Sequence, residues 1–221
     1  MREIRRAAKR FRTDADGAVT FHSFSYGAHY DADNVGFGPL VAINIERIGP
    51  GKGYEQHHHA DVEIVTWVLE GELKHEDSTG HRGVVRPGTA QRLSAGTGVQ
   101  HSEQNASSTE PLVLVQMMLR SAYDGEPEYA DAKVDLTTGV LTPVIDVHAA
   151  AELFFVRLAA GDTVTVPTSE RSLMHVVRGA IALGDTTLTS GDEARLTGED
   201  AYDLSAAEDG GDALIWQLGS T

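Results

Sequence analysis

The sequence has no cysteine, which removes disulfide frameworks, thiolate metal sites, iron–sulfur ligation and cysteine nucleophiles together. Any metal must therefore sit on histidine and carboxylate side chains. Basic residues are few: 18 Lys and Arg stand against 33 Asp and Glu, a formal charge of −15. A surface of that sign repels phosphate backbones and anionic lipid, so direct nucleic-acid binding is not expected. No run approaches the ~18 apolar residues of a membrane span, and no membrane partner is expected. The opening MREIRRAAKRFR carries six basic residues, as a secretory signal can, but TDADGAVTFHSF follows it with no apolar core segment. The expectation is a cytoplasmic protein whose basic start is a solvated edge strand or arm.

Helical periodicity is scarce too. Short alternating or apolar runs bounded by Gly, Pro, Asp and Ser recur instead, among them PLVAINIERI, EIVTWVLEGELKHE, PLVLVQMML, LFFVRLAAG and SLMHVVRGAIALG. That spacing signals an all-β sandwich or barrel. One modest helix is expected near Val147 to Leu153. With 221 residues the chain suffices for one large domain or two compact ones. The polar, turn-rich segment 123–143 reads as a connector, which divides the chain into residues 1–122, that connector, and residues 144–221. A weak internal repeat supports two units. WVLEGELKHEDSTG and GVVRPGT around Gly71 have counterparts in HVVRGAIALGD and TLTSGDE around Gly179. The second copy is shorter, with 12 residues from Gly179 to Gly191 against 17 from Gly71 to Gly88.

The chemistry concentrates around two dyads. His57, His58 and His59 sit in GKGYEQHHHADVEIVTWVLEG; in a strand His57 and His59 share a face and His58 points away. After a Gly-rich turn that Gly96 and Gly98 allow, AGTGVQHSEQN brings His101 and Glu103, again two residues apart. Two such dyads on neighbouring strands converge four ligands, and imidazole with carboxylate suits a first-row divalent metal. Spacing alone does not decide the carboxylate, because Glu63 shares the parity of His57 and His59. Asp77 to Gly80 reads as a hairpin turn, and Trp67 and Met117 as core or pocket wall. His22, His29, His75, His81, His148 and His175 have no partner at metal spacing and read as surface or core histidines. Counting from Gly179 and Gly191 by the offsets of the first dyads lands on Thr165, Pro167, Leu204 and Ala206, so the second unit is expected to bind no metal.

Gly51, His57-x-His59, Glu63 and Gly71 resemble the first cupin motif, and Gly98, His101 and Asn105 the end of the second. More closely, FHSFSYGAHYD, GFGPLVAIN, GKGYEQHHHADVEIVTWVLEGELKHEDSTGH and LSAGTGVQHSEQN resemble the pirin family of bicupins, including its bacterial quercetin 2,3-dioxygenase-like members. The similarity is strong over residues 20 to 120 and general in the C-terminal half. It implies an all-β fold of two cupin barrels of the double-stranded β-helix or jelly-roll type. Residues 1–122 would be the metal-binding cupin and residues 144–221 a degenerate one. It also implies Glu103 as the carboxylate ligand beside His57, His59 and His101. Two departures stand out: His58 replaces the proline usual between the first two ligands, and a local bulge there would let it compete for metal; the seven-residue gap from Glu63 to Gly71, against six in cupins at large, favours the pirin subfamily.

Four protein ligands leave two positions open on an octahedral metal, and open positions suit chelation of a substrate and reaction with dioxygen. The expected cofactor is one divalent first-row metal, iron first, with manganese, nickel, cobalt, copper or zinc also suited. The resemblance implies ring-opening dioxygenation of a small aromatic substrate such as a flavonol; strand parity makes Glu63, or Glu103 if it loosens from the metal, the expected proton acceptor. The rival expectation is a metal-bound regulatory protein that acts through a protein partner.

Overall fold

The computed structural model describes Met1–Gly219 and is built almost wholly from strands. β1 (Arg2–Arg5) and one turn of 3-10 helix (Ala7–Lys9) lead into β2 (Phe11–Ala15), β3 (Ala18–His22) and β4 (Leu40–Ile48). Then come β5 (Gly53–His59), β6 (Val62–Glu70), β7 (Leu73–Asp77), β8 (Arg82–Val85) and β9 (Thr89–Ser94). β10 (Val99–Asn105), β11 (Leu112–Arg120), β12 (Glu128–Lys133) and β13 (Leu141–Pro143) follow. The chain ends with β14 (Ala151–Leu158), β15 (Thr163–Val166), β16 (Arg171–Leu183), β17 (Thr186–Thr189), β18 (Glu193–Thr197) and β19 (Tyr202–Leu218). Among the described residues no helix is long and apolar enough to cross a membrane.

Two compact units result, one of Arg10–Lys133 with Val147–Ala149, the other of Met1–Lys9, Val134–Asp146 and Ala150–Thr221. The divisions expected at 1–122, 123–143 and 144–221 shift accordingly. The segment taken as a connector contains β12, whose six residues pair with β9 and extend the first unit's larger sheet. β1 pairs with β18 as an edge strand of the second unit, its neighbourhood tied by Arg2–Glu199 and Arg6–Asp192 ion pairs. The expected helix near Val147–Leu153 is absent. Residues 148–150 form a bend, and from Ala151 the chain pairs with β19, burying Leu153, Phe155 and Val156. Alanine-rich local preference yields there to ladder pairing and apolar burial.

In the first unit a seven-stranded sheet, β12-β9-β6-β11-β4-β3-β2, lies with a four-stranded one, β5-β10-β7-β8. The six residues of β6 from Glu63 to Val68 are buried on both faces, which is why β6 reads as a near-continuous apolar run. Two apolar clusters fill the interior at either end: Ile48, Val68, Leu73, Leu112 and Leu114, and Ala42, Ile64, Leu93, Val99 and Met118. Between them the inward positions are polar. His22, Asn44, Gln116, Thr66, Gln91 and Asp131 are successive cross-strand partners, a row that crosses six strands.

The second unit repeats this pattern with longer strands. β16 and β19 each serve two ladders, β18-β16-β19-β14 at one end and β15-β19-β16-β17 at the other, with register shifts around Gly179. The repeat seen in the sequence is therefore structural. The shorter second copy turns through Gly184 and Asp185 alone between paired Leu183 and Thr186, a two-residue hairpin loop. Gly179 marks the switch between ladders with φ +64°, and a Cβ there would meet the Gly210 carbonyl at 2.2 Å. Gly161 has φ +84° but open space around it. Gly161→Ala should therefore cost about 1 kcal/mol and Gly179→Ala about 3 kcal/mol. Urea unfolding of the two variants checks the order; equal losses would show that crowding at the switch is immaterial.

Candidate metal centre

β5 and β10 pair antiparallel with His57 directly opposite His101 and His59 opposite Val99. Past His101 the register slips, so that Glu103 faces Tyr54 and the extra residue lies at Glu55–Gln56. This bulge falls before the histidine run, not at His58. His58 accordingly stays exposed, its ring beside Gly98, where a Cβ would meet Nε2 at 2.9 Å. His57, His59 and His101 turn together: ring centroids are 4.4 Å apart for His57–His101, 4.9 Å for His57–His59 and 5.1 Å for His59–His101. Each offers a ligand atom within 4.8 Å of the other two.

Glu103 lies deeper. Gln116 Nε2 donates to its Oε2 at 2.6 Å and Gln91 Nε2 to its Oε1 at 3.4 Å, while Tyr129 Oη donates to Gln91 Oε1 at 3.3 Å. Glu103 groups with His101 and His75, again within 4.8 Å, rather than with His57 and His59. His101 is thus the hinge between two overlapping donor sets.

Glu63 does not join them. Asp61, at φ +59°, interrupts the extended chain between β5 and β6, and β6 belongs to the other sheet. Parity counted from His59 therefore does not carry across. Ile64 and Thr66 share the inward face with Leu93 and Gln91, and Glu63 takes the opposite face. There its Oε2 accepts from Ser94 Oγ at 2.8 Å and from the His148 amide at 3.2 Å. The expectation of a proton acceptor at Glu63 is corrected on this ground: its carboxylate faces away from the histidines.

The electrostatics favour a cation. Burial, followed by the neighbouring imidazoles, lowers His59 to about 4 and His101 to about 3, so both are neutral, lone-pair donors near pH 7. Burial pushes the Glu103 carboxyl up against the opposing hydrogen bond from Gln116. Glu46, on the same inward face of β4 and bonded to Tyr54, is raised to about 8 by burial and then by Glu103. His101 is 1% exposed, yet neither ring nitrogen has a hydrogen-bond partner among the described residues. An unpaired buried imidazole is costly, and a metal ligand bond satisfies it. His57 Nδ1 donates to the Glu55 carbonyl at 2.8 Å, which fixes the tautomer that leaves Nε2 free. The donor set fits a divalent first-row metal.

A family model described as Pirin matches residues 4–119, and one described as Quercetinase C-terminal cupin domain matches residues 142–218. The chain belongs to the pirin family. Pirin relatives include a protein of Mycobacterium tuberculosis, named provisionally as a quercetin 2,3-dioxygenase. It is 41% identical over 231 residues, covering 98% of this chain and 94% of its own. The quercetin 2,3-dioxygenase of Escherichia coli K12 is 33% identical, with 97% of each chain covered. The E. coli pirin YhhW, solved in complex with nickel(II), superposes with a TM-score of 0.92 at 29% identity and covers all of both chains. The fold is accordingly that of a pirin bicupin.

Sequence reasoning missed His75, Gln91 and Gln116. His75 has the parity of Leu73 and Asp77 in a strand two residues after Gly71, but a lone histidine in an alternating strand looks the same as a core histidine. In the second unit the ungapped offsets slip by one residue. β15 pairs Val164 with Leu204 and Val166 with Tyr202, so Val164 and Val166, not Thr165 and Pro167, occupy the places of His57 and His59. All of these pack in that unit's apolar core.

The depressed histidines give stability a sign. The unfolded chain takes up protons on His59 and His101 below about pH 6.5, the folded chain only near 4 and 3. Their contribution therefore destabilises the metal-free fold progressively as pH falls from about 6.5. A His59→Gln/His101→Gln variant should show a shallower loss of Tm between pH 6.5 and 4 than wild type, measured without metal. Parallel curves would refute the depressed values.

Proposed function

We propose that this pirin is a metal-dependent dioxygenase that opens a flavonol-type ring, with His57, His59, His101 and Glu103 as metal ligands. The observation that carries this reading is His101: a fully buried imidazole without a hydrogen-bond partner, in ligand reach of His57 and His59 on one side and Glu103 on the other. The names of the relatives in M. tuberculosis and E. coli support the reaction class, and the nickel complex of YhhW supports a divalent ion.

The metal, when bound, supplies a Lewis acid that a flavonol's hydroxyl and keto oxygens can chelate. The chain's own part is to orient and to hold protons. Gln116 and Gln91 fix both oxygens of Glu103 from below, so its carboxylate presents one direction to the histidines. Glu103, ionised beside a bound ion, would accept the substrate hydroxyl proton. Glu63, turned to the other sheet face, has no part in that transfer.

Two outcomes follow. Purified protein should carry about one metal per chain, since the two donor groups among the described residues share His101, and His101→Ala should lose most of it by elemental analysis; equal occupancy would refute the centre. With iron, manganese, nickel, cobalt or copper loaded, quercetin should drive oxygen uptake with release of carbon monoxide. Glu103→Gln should lower kcat at least ~100-fold, whereas Glu63→Gln should leave it within a factor of about two. If no loaded form consumes oxygen with any flavonol or catechol, the regulatory reading replaces this one.

A further inference from the structure

Beneath the three histidines lies a second carboxylate–imidazole pair. β7 pairs with β10 on the side away from β5, so that His75 stands opposite Glu103 and Asp77 opposite His101. His75 and Asp77 side chains are both wholly buried, and His75 Nε2 lies 3.1 Å from Asp77 Oδ2. The other Asp77 oxygen accepts from Thr79 N at 2.9 Å, Thr79 Oγ1 at 2.6 Å and His81 N at 3.2 Å. A carboxylate that accepts so many hydrogen bonds is ionised, and its Oδ2 accepts a hydrogen bond from His75 Nε2–H. In a neutral His75 the lone pair is then on Nδ1, and Nδ1 is buried with no hydrogen-bond partner among the described residues. Tyr129 and His81 wall the ring, with centroids 5.1 and 6.0 Å away, and stack on each other at 3.4 Å.

Metal-bound histidines almost always donate their second ring nitrogen to a carboxylate, a carbonyl or water. His57 shows that signature through a carbonyl and His75 shows it through Asp77. His75 also brings a ligand atom within 4.8 Å of those of His101 and Glu103. We infer that His75 is a further metal ligand of the centre, binding through Nδ1 with Asp77 as its orienting carboxylate. His101 and Glu103 are then shared between an outer set with His57 and His59 and an inner set with His75. A six-coordinate ion held by both sets keeps one open position where the outer set with Glu103 leaves two. A substrate that chelates through two oxygens must displace one protein ligand, and His75, anchored only at its far nitrogen, is the one placed to yield.

This inference rests on the metal-centre part of the proposed function but not on the dioxygenase reaction, and the probe is cobalt(II) alone. In wild-type protein loaded with cobalt, paramagnetic proton NMR should show shifted ring N–H signals from four coordinated imidazoles, those of His57, His59, His75 and His101. His75→Ala should bind cobalt ten- to a hundred-fold more weakly in chelator competition and show more intense visible bands, which added imidazole reverses. Asp77→Asn, which keeps the ring, should weaken binding about ten-fold and serves as the deciding variant if His75→Ala does not fold. Three shifted imidazoles, or wild-type affinity and spectrum in the folded variants, would overturn the inference and leave the outer set standing. Wild-type protein that takes up no cobalt would overturn the metal centre itself.

Discussion

The pairing of β10 between β5 and β7 is the constraint on which the centre depends. β10 meets β5 with His101 against His57, and β7 with Glu103 against His75. A one-residue slip on either side would turn every second side chain to the wrong face. The slip that does occur, at Glu55–Gln56, leaves the His57–His101 pairing in place and brings Tyr54 inward. Its hydroxyl there meets Thr20 at 3.2 Å, and its ring stands edge-on to His57 with centroids 6.4 Å apart. Gly53 makes this possible: at φ +157° it lies so close to β10 that a Cβ would be 2.3 Å from the Glu103 carbonyl. Backbone approach and donor convergence are one requirement here.

The two units show what the same ladder does without a site. In the second, Val164, Val166, Leu204 and Ala206 fill the space between the ladders together with Ile181, Leu183 and Leu188. Burial of such side chains contributes about 1.5–3 kcal/mol each. In the first unit the corresponding interior holds imidazoles, carboxyls and amides, which yield no such gain and must be hydrogen-bonded instead. The row from His22 to Asp131 meets part of that demand: His22 Nδ1 lies 2.9 Å from Asn44 Oδ1, and Gln116 and Gln91 hold Glu103. Thr66 Oγ1, in the middle of the row, has no partner among the described residues. Apolar clusters at both ends of the barrel enclose this polar middle.

How much of this the sequence discloses depends on how local each signal is. Strand parity within five or six residues is local, so His57 with His59, and His101 with Glu103, are legible as dyads, and the outward His58 follows from the same rule. The placement of Glu63 is not, because one left-handed residue, Asp61, resets the parity between two strands of different sheets. The bend and strand at 148–158 escape for a related reason: pairing with β19, some sixty residues later, outweighs a local alanine-rich preference. β1 and β12 each extend a sheet formed by sequence-distant strands, so composition alone put the domain limits elsewhere. His75 needs the β7–β10 register to be recognised at all.

Charge explains why so polar an interior suits a cation. Glu46 and Glu103 both occupy it, burial raising the affinity of each for a proton and Glu103 adding to that of Glu46, while His59 and His101 are held neutral. In the folded protein without metal Glu46 keeps a proton near pH 7 where the imidazoles of His59 and His101 refuse one. On the proposed function, His57, His59 and His101 would hold a divalent ion, and a positive charge there would favour the ionised form of Glu103. On that same proposal, a substrate hydroxyl would then meet Glu103 as a carboxylate rather than a carboxylic acid. Glu46, raised to about 8 by burial and then by Glu103 against the opposing hydrogen bond from Tyr54, holds a proton near pH 7 on the same inward face. The same burial that makes the metal-free interior costly is thus what would let Glu103 serve as the proposed base beside an ion.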